Sequence, residues 1–320
     1  FSKFKTHLMK ISTKGYNLSV NVNNINLSYD DLGEGTIPIV FLHGFPFDKT
    51  MWQNQMEYFK TTHRVIACDI RGFGKSTDEE SHLSMDLFAN DLILFIDKLG
   101  IDKVIICGLS MGGFIALNAM KRFPSRFEAL ILCDTQCVAD SYEFKVKRYK
   151  TIEDIKQYGV TNFNEGFIKN VFHEVTIANK PELVEQLRTV VFANSQHSIT
   201  QGLVALAERS ETCSILDKIL VPTLIICGRE DTVTPLEESK FMNKNMYYLT
   251  ILKYSKNGHL RTLFSDIFSS YSELLVLLEN KSSKILRNKL KRNVKLVLDD
   301  NDSLNESNNM LKYFIKIHNI

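Results

Sequence analysis

Five short aliphatic runs, at residues 37–42, 65–68, 104–107, 130–133 and 223–227, alternate along the chain with longer segments of helical periodicity. Parallel strands need a crossover between them, and that crossover is usually a helix, so the alternation predicts a mostly parallel sheet with helices on both faces. Ahead of these runs, residues 16–22 and 25–29 alternate polar and apolar side chains as an edge hairpin does. The segment 84–99 reads as a helix. Ser84 stands at the N-cap, Asp86 lies in the first turn, Met85, Phe88, Ala89, Leu92, Phe95, Ile96 and Leu99 form one stripe, and Gly100 ends it. A later helix opens at Thr234 as cap, with Pro235 in its first position and Glu237 placed for a capping box.

Residues 138–212 break the alternation, being helical, Phe-rich and almost free of glycine, and they read as a helical cap inserted over one edge of the sheet. Residues 9–137 and 213–280 then form the core, and residues 1–8 an extension before it. Every glycine lies at or before Gly258 and every proline at or before Pro235. The segment 281–320 therefore lacks turn punctuation. Its first part, 281–298, holds seven Lys/Arg and no acid, and 299–306 then holds four acids. That charge pattern reads as a solvated tail outside the core, with partner binding as the sharper alternative.

Composition removes several classes. A chain of 320 residues with 44% hydrophobic and 24% charged residues is globular, and a formal net charge of +2 creates no long-range field for a polyanion. No apolar run reaches the roughly 18 residues of a membrane helix. Neither nucleic acid nor a bilayer is an expected partner of the core. The six cysteines, Cys68, Cys107, Cys133, Cys137, Cys213 and Cys227, show no metal-type CxxC spacing, and four lie in or beside strand-like runs. They read as buried free thiols in a reducing compartment, which implies a cytoplasmic location. There is no HExxH pair for a metal and no G-x-G-x-x-G after the first strand. Gly74-Lys75-Ser76 resembles the end of a phosphate loop, but the first glycine of that loop would fall on Asp69. Neither a metal nor an organic cofactor is expected.

The chemistry concentrates where the run Val104-Ile105-Ile106-Cys107 passes directly into Gly108-Leu109-Ser110-Met111-Gly112-Gly113 and then into a helical segment ending before Pro124. A strand, G-x-S-x-G, helix sequence lifts its serine on a sharp turn above the sheet, and side chains at 108 and 112 would strike neighbouring backbone. A serine hydroxyl needs a base and an orienting acid. Of eight histidines, His259 follows the strand-like residues 247–252 in Asn257-Gly258-His259, and is the expected base. His43 stands before Gly44 and reads as loop scaffolding. Asp231 follows the run 223–227 and gives the chain order Ser, Asp, His. Glu230 and Asp134 are alternatives, since each also lies just beyond a strand. The backbone N–H groups of Phe45, in His43-Gly44-Phe45-Pro46, and of Met111 are the expected oxyanion donors. Phe163, Phe167, Phe172 and Phe192 are expected to line an apolar pocket in the cap.

These residues resemble the α/β-hydrolase superfamily from about Tyr29 to His259. Asp69-Ile70-Arg71-Gly72-Phe73-Gly74-Lys75-Ser76 matches its D-x-R-G-x-G-x-S turn, and the HGFP, GLSMGG and GREDTVTP wording is most similar to the 3-oxoadipate enol-lactonase-like and cofactor-free haloperoxidase/esterase branches. The resemblance implies an α/β-hydrolase fold and a serine hydrolase acting on a small ester or lactone. A C–C hydrolase or perhydrolase would use the same triad, and a ligand-binding protein without catalysis would use the same fold. Relatives follow the histidine with a short acidic-proline segment, whereas this chain has Leu260-Arg261-Thr262-Leu263-Phe264. Residues 266–278 could still form the final helix.

Overall fold

The computed structural model describes residues 14–78, 82–172, 174–229, 231–246, 250–255 and 295–299. His259, Glu230 and the helix expected over 266–278 lie outside the described residues. The edge hairpin is present as β1 (Gly15–Val22) and β2 (Ile25–Leu32). The five aliphatic runs become β3 (Ile39–Leu42), β4 (Val65–Cys68), β5 (Val104–Leu109), β6 (Phe127–Cys133) and β7 (Thr223–Gly228), followed by β8 (Thr250–Ser255) and β9 (Lys295–Asp299). They form a sheet in the order β1-β2-β4-β3-β5-β6-β7-β8-β9, in which β1 and β2 pair antiparallel, β2 pairs antiparallel with β4, and all later pairs are parallel.

β9 is a departure from the sequence reading. It falls within 281–320, the segment expected outside the core, yet its backbone pairs with β8 from Thr250↔Lys295 to Tyr254↔Asp299. Lys-Leu-Val-Leu-Asp is a strand-forming run that the charge count of the tail obscured.

The strands β3, β4, β5 and β7 are buried along their whole length, as strands covered on both faces must be. Their side chains divide by the two-residue period of the pleat. Val40, Leu42, Val104 and Ile106 join one apolar cluster with Phe88, Leu92, Ile96, Ile115 and Ala119 from α2 (Met85–Lys98) and α3 (Met111–Arg122). Ile39, Phe41, Ile105 and Cys107 join the other, with Trp52 and with Met56 and Phe59 of α1 (Gln53–Phe59). The predicted cap of α2 is realised, since the Ser84 hydroxyl oxygen accepts from Leu87 N–H at 3.2 Å.

Between β6 and β7 stand α4 (Tyr142–Tyr158), α5 (Thr161–Val171), α6 (Glu174–Asn179), α7 (Pro181–Phe192) and α8 (Gln196–Ala207). Cys137 and Cys213 flank this insertion and are joined as a disulfide with Cα atoms 4.9 Å apart. The expectation of six free thiols is corrected here. The other four cysteines are free and buried, but this pair, 76 residues apart, meets because the insertion leaves the sheet and returns to it at one place. Thr212 N–H also donates to the Cys137 carbonyl at 2.8 Å across the same neck.

The D-x-R-G-x-G-x-S turn after β4 is built inward. Asp69 is buried and accepts from Lys49 Nζ at 2.8 Å, Lys49 N–H at 2.8 Å and Lys75 N–H at 3.0 Å. Arg71 forms a two-pronged, buried pair with Asp91 at 2.6 and 2.8 Å. Gly74, at φ +56°, could carry no β-carbon, which would stand 2.5 Å from the Asp69 carboxyl carbon. The turn is a brace beneath the carboxyl edge of the sheet. Among the described residues, no helix is long and apolar enough to cross a membrane.

Candidate active site

The chain runs from β3 outward to β4 and then back across to β5, so the direction of winding reverses beside β3 and β5. Crevices open at the carboxyl ends of strands at such reversals. The segments leaving β3 and β5 meet there, Leu42 lying opposite Gly108 in the parallel register.

Ser110 links β5 to α3 with φ 49° and ψ −112°, a left-handed conformation unusual for a residue with a side chain. Its N–H donates to Cys133 O at 2.9 Å, and its carbonyl accepts from Gly113 N–H at 2.9 Å, Phe114 N–H at 3.1 Å and the Thr135 hydroxyl at 2.9 Å. The turn is held from both sides by β6 and α3. Its glycines are required by space rather than by φ. A β-carbon on Gly108 would stand 2.4 Å from the Gly112 carbonyl, and one on Gly112 would stand 2.3 Å from Leu42 O. A β-carbon on Gly113 would likewise stand 2.4 Å from the Thr135 hydroxyl oxygen.

A β-carbon on Gly44 would stand 3.5 Å from that of Ser110, so the turn after β3 lies against the elbow. His43 braces this turn. Its Nδ1 donates to Gly44 O at 2.9 Å and its Nε2 accepts from Ile70 N–H at 2.9 Å, the pattern of a neutral imidazole. Burial pushes the His43 pKa below its ordinary value. Met111 is the first residue of α3, and the N–H groups of a first helical turn have no acceptor within their helix.

Asp231 lies three residues beyond β7 and is buried. Its Oδ1 accepts from the N–H groups of Val233 at 2.7 Å and Thr234 at 3.0 Å, and its Oδ2 from the Thr234 hydroxyl at 2.7 Å. Thr234 does not cap the following helix as expected, because α9 (Leu236–Asn245) has Pro235 at its N-cap and no side-chain cap hydrogen bond. Asp134 follows β6, and its Oδ1 accepts from Gly228 N–H at 2.7 Å, tying the ends of β6 and β7 together.

Above Ser110 is a cavity of about 570 Å³ whose wall includes Phe45, Ser110, Phe163, Phe167, Val233 and Thr234. The turn bearing Ser110, the turn after β3 and the turn bearing Asp231 thus open onto one space beneath the cap. Among the described residues, no group of three or more His, Cys, Asp or Glu side chains could hold a metal ion.

A family model described as the alpha/beta hydrolase fold matches residues 37–260, more than two thirds of the chain. The chain belongs to the α/β-hydrolase family. It is 26% identical to 3-oxoadipate enol-lactonase 2 of Acinetobacter baylyi over 73% of this chain and 86% of that protein. It is 30% identical to a putative non-heme chloroperoxidase of Synechocystis over 68% of this chain and 82% of that one. Among solved structures, a thermophilic esterase from Thermogutta terrifontis superposes with a TM-score of 0.76 at 30% identity, covering 82% of this chain and 98% of the esterase.

In this α/β hydrolase the four expected pocket phenylalanines divide. Phe163 and Phe167 are one helical turn apart on α5 and face the cavity, with ring centroids 6.2 and 6.3 Å from that of Phe45. Phe172 and Phe192 are not part of its wall. Phe172 follows the last turn of α5 and is buried in the opposite apolar cluster with Leu187 and Val191, while Phe192 lies under the Arg188 guanidinium, 4.6 Å from its carbon. Phenylalanine content alone does not say which way a cap helix faces.

Several contributors were not read from sequence. Gly202 of α8 stands where a β-carbon would be 2.6 Å from the Phe45 ring, so the cap descends onto this aromatic only because position 202 is bare. An isolated glycine inside a helical pattern is the signal that could have found it. Asn194 donates to Pro46 O at 2.7 Å, a second link between cap and turn. Arg148 and Arg209 also line the cavity, and no local motif marks them.

Proposed function

We propose that this protein is a serine hydrolase that cleaves a small carboxylic ester or lactone through an acyl-enzyme. The observation that carries the reading is Ser110 itself, held at φ 49° on a strand-to-helix elbow and opening into the 570 Å³ cavity. A serine needed only for a turn has no reason to occupy a strained conformation at the floor of a substrate-sized space.

In this reading Ser110 Oγ attacks the carbonyl carbon while the imidazole of His259 takes its proton. The tetrahedral oxyanion is met by the N–H groups of Phe45 and Met111, the latter at the positive end of α3. His259 then returns the proton to the leaving alcohol, the acyl-enzyme forms, and water repeats the sequence to release the acid. Asp231 orients the imidazole. Hydrogen bonds from Val233 N–H, Thr234 N–H and the Thr234 hydroxyl hold the carboxylate in the turn beside the cavity. Asp134, whose Oδ1 accepts from Gly228 N–H at the end of β7, is the alternative acid. The packed rings of Phe45, Phe163 and Phe167 favour a partly apolar acyl group near the nucleophile.

A fluorophosphonate probe is expected to label Ser110 in the native protein and to leave Ser110→Ala unlabelled. The same substitution should lower turnover of a 4-nitrophenyl ester by about 10⁴- to 10⁶-fold. Turnover should rise with pH through a limb near 7, because the base must be neutral. A Ser110→Ala protein with wild-type turnover would exclude the mechanism, and a native protein inert to the probe would leave a ligand-binding protein in its place.

A further inference from the structure

The wall of the cavity is not uniformly apolar. On α4, Arg148, Thr151, Ile155 and Tyr158 face it at helical spacing, and Arg209, just beyond α8, joins Arg148 there. Both guanidinium groups reach the same carboxylate. Arg148 Nε donates to Asp140 Oδ2 at 2.5 Å, and Arg209 Nη1 forms an ion pair with Asp140 Oδ1 at 2.7 Å. Two cations against one carboxylate leave one unit of positive charge at this point of the wall. Asp154 also lines the cavity, but it pairs with Lys150 at 3.0 Å and is half exposed, so it does not neutralise the cluster.

The surplus charge is poorly compensated. The Arg209 side chain is only 3% exposed; its Nη1 also donates to Leu206 O at 2.8 Å, while its Nε has no hydrogen-bond acceptor among the described residues. Its guanidinium carbon lies 4.5 Å from the centre of the Phe114 ring, a contact that stabilises a cation but accepts no proton. Among the described residues, Arg148 gives one hydrogen bond, from Nε, which leaves both terminal nitrogens of its fork available. A buried or half-buried guanidinium with unused donors is costly unless something accepts from it. The cavity is where that acceptor can enter.

Position adds a length. Phe114 follows Ser110 by four residues on α3, a rise of about 6 Å, and Arg209 stacks on Phe114. The cationic cluster is therefore on the order of 10 Å from the nucleophile, one short acyl chain away. We infer that Arg148 and Arg209 form an anion subsite that selects esters whose acyl chain ends in a carboxylate. This deepens the proposal of ester cleavage at Ser110 and rests on it. A carboxylate fits better than a phosphate for two reasons: its single charge matches the single surplus charge, and its planar pair of oxygens matches the guanidinium fork.

The test compares mono(4-nitrophenyl) glutarate with 4-nitrophenyl pentanoate, two esters of the same chain length that differ in the terminal group. Wild-type kcat/KM should favour the glutarate ester by about tenfold or more, as a charge-assisted pair in a shielded site provides. In Arg148→Gln that preference should fall by about tenfold, mainly through KM, and Arg148→Lys should recover part of it. A purely structural role for Arg148 would depress both esters by one common factor, and that result overturns the proposal. Free glutarate should inhibit wild type more strongly than free pentanoate, a comparison that requires no substitution; equal inhibition also overturns it. Calorimetric binding of glutarate to Ser110→Ala separates this subsite from the catalytic reading. Binding that is lost in Ser110→Ala/Arg148→Gln supports the subsite even if Ser110 proves inert, and absent binding removes the subsite even if Ser110 hydrolyses neutral esters.

Discussion

Replacing Cys137 and Cys213 together by serine is expected to destabilise the protein without rearranging its folded state. The two residues enclose a separation of 76 along the chain. Cross-linking a loop of that length restricts the unfolded ensemble by about 15 cal/mol/K, or about 4.5 kcal/mol at 25 °C, on the chain-entropy relation. This is a ceiling, because unfolded chains retain some compactness. In the folded state the same neck keeps the Thr212 N–H to Cys137 O bond and the Asp140–Arg209 pair, so the loss falls chiefly on the unfolded side. Trp52 supplies the signal. It is the single tryptophan of the chain, fully buried against Phe41 at a ring separation of 5.0 Å, in a cluster that includes Leu187 and Val191 of α7. Guanidinium unfolding followed by its fluorescence should give a lower midpoint for the double serine variant, equivalent to about 2 to 4.5 kcal/mol. Wild type with a dithiol reductant should move to the same midpoint, while the variant stays where it is. Alkylation under denaturing conditions should modify four thiols before reduction and six after it, from the four free cysteines and the bonded pair. Coincident midpoints without reductant, or six alkylated thiols at the outset, would refute the reasoning.

Three further outcomes are expected. Gly112→Ala drives a methyl group to 2.3 Å from Leu42 O and 2.9 Å from His43 O, so thermal melting should show a loss of about 2 kcal/mol or more and a displaced turn at Phe45. Gly166→Ala, in mid-helix with nothing within 4 Å, should instead gain about 0.5–1 kcal/mol; effects of the same sign in both would contradict the packing argument. His43, with its folded-state pKa below the unfolded value near 6.5, holds stability that is full above that value and is lost as pH falls through it. Between pH 7.5 and 5.5 wild type should lose up to about 1.4 kcal/mol that His43→Gln does not, as read from denaturation midpoints at the two pH values. Asp69→Asn leaves the Lys49 ammonium buried without its charge partner and should cost about 3–5 kcal/mol by chemical denaturation, whereas a loss under 1 kcal/mol would mean that the ion pair is not the brace described.

What could be read from residues alone follows the range of the interactions involved. The parallel sheet was legible because strands buried on both faces leave continuous aliphatic runs such as Ile39–Leu42 and Val104–Leu109. The elbow at Ser110 was legible because its glycines answer to contacts made by the same short stretch and its neighbouring strand. The Cys137–Cys213 bond was not, since no spacing rule links residues so far apart. Nor were Arg148 and Arg209, which become neighbours through Asp140 only once the cap is packed. Phe172 and Phe192 show the same limit from the other side: helix formation is local, but the direction a helix faces is decided by what lies across from it. Thr234 was read as a helix cap from its neighbours in sequence, whereas the helix starts one residue later, with Pro235 at its N-cap, and the Thr234 hydroxyl donates to Asp231.

The 4.9 Å gap between the Cα atoms of Cys137 and Cys213 has an architectural corollary. An insertion whose two ends meet this closely makes no demand on the separation of the strands it interrupts, so its length and helix count can change while β6 and β7 stay in register. Residues 138–212 are in that sense a removable roof on a standing frame, and a graft of a different roof needs only two ends that meet across the same short threshold.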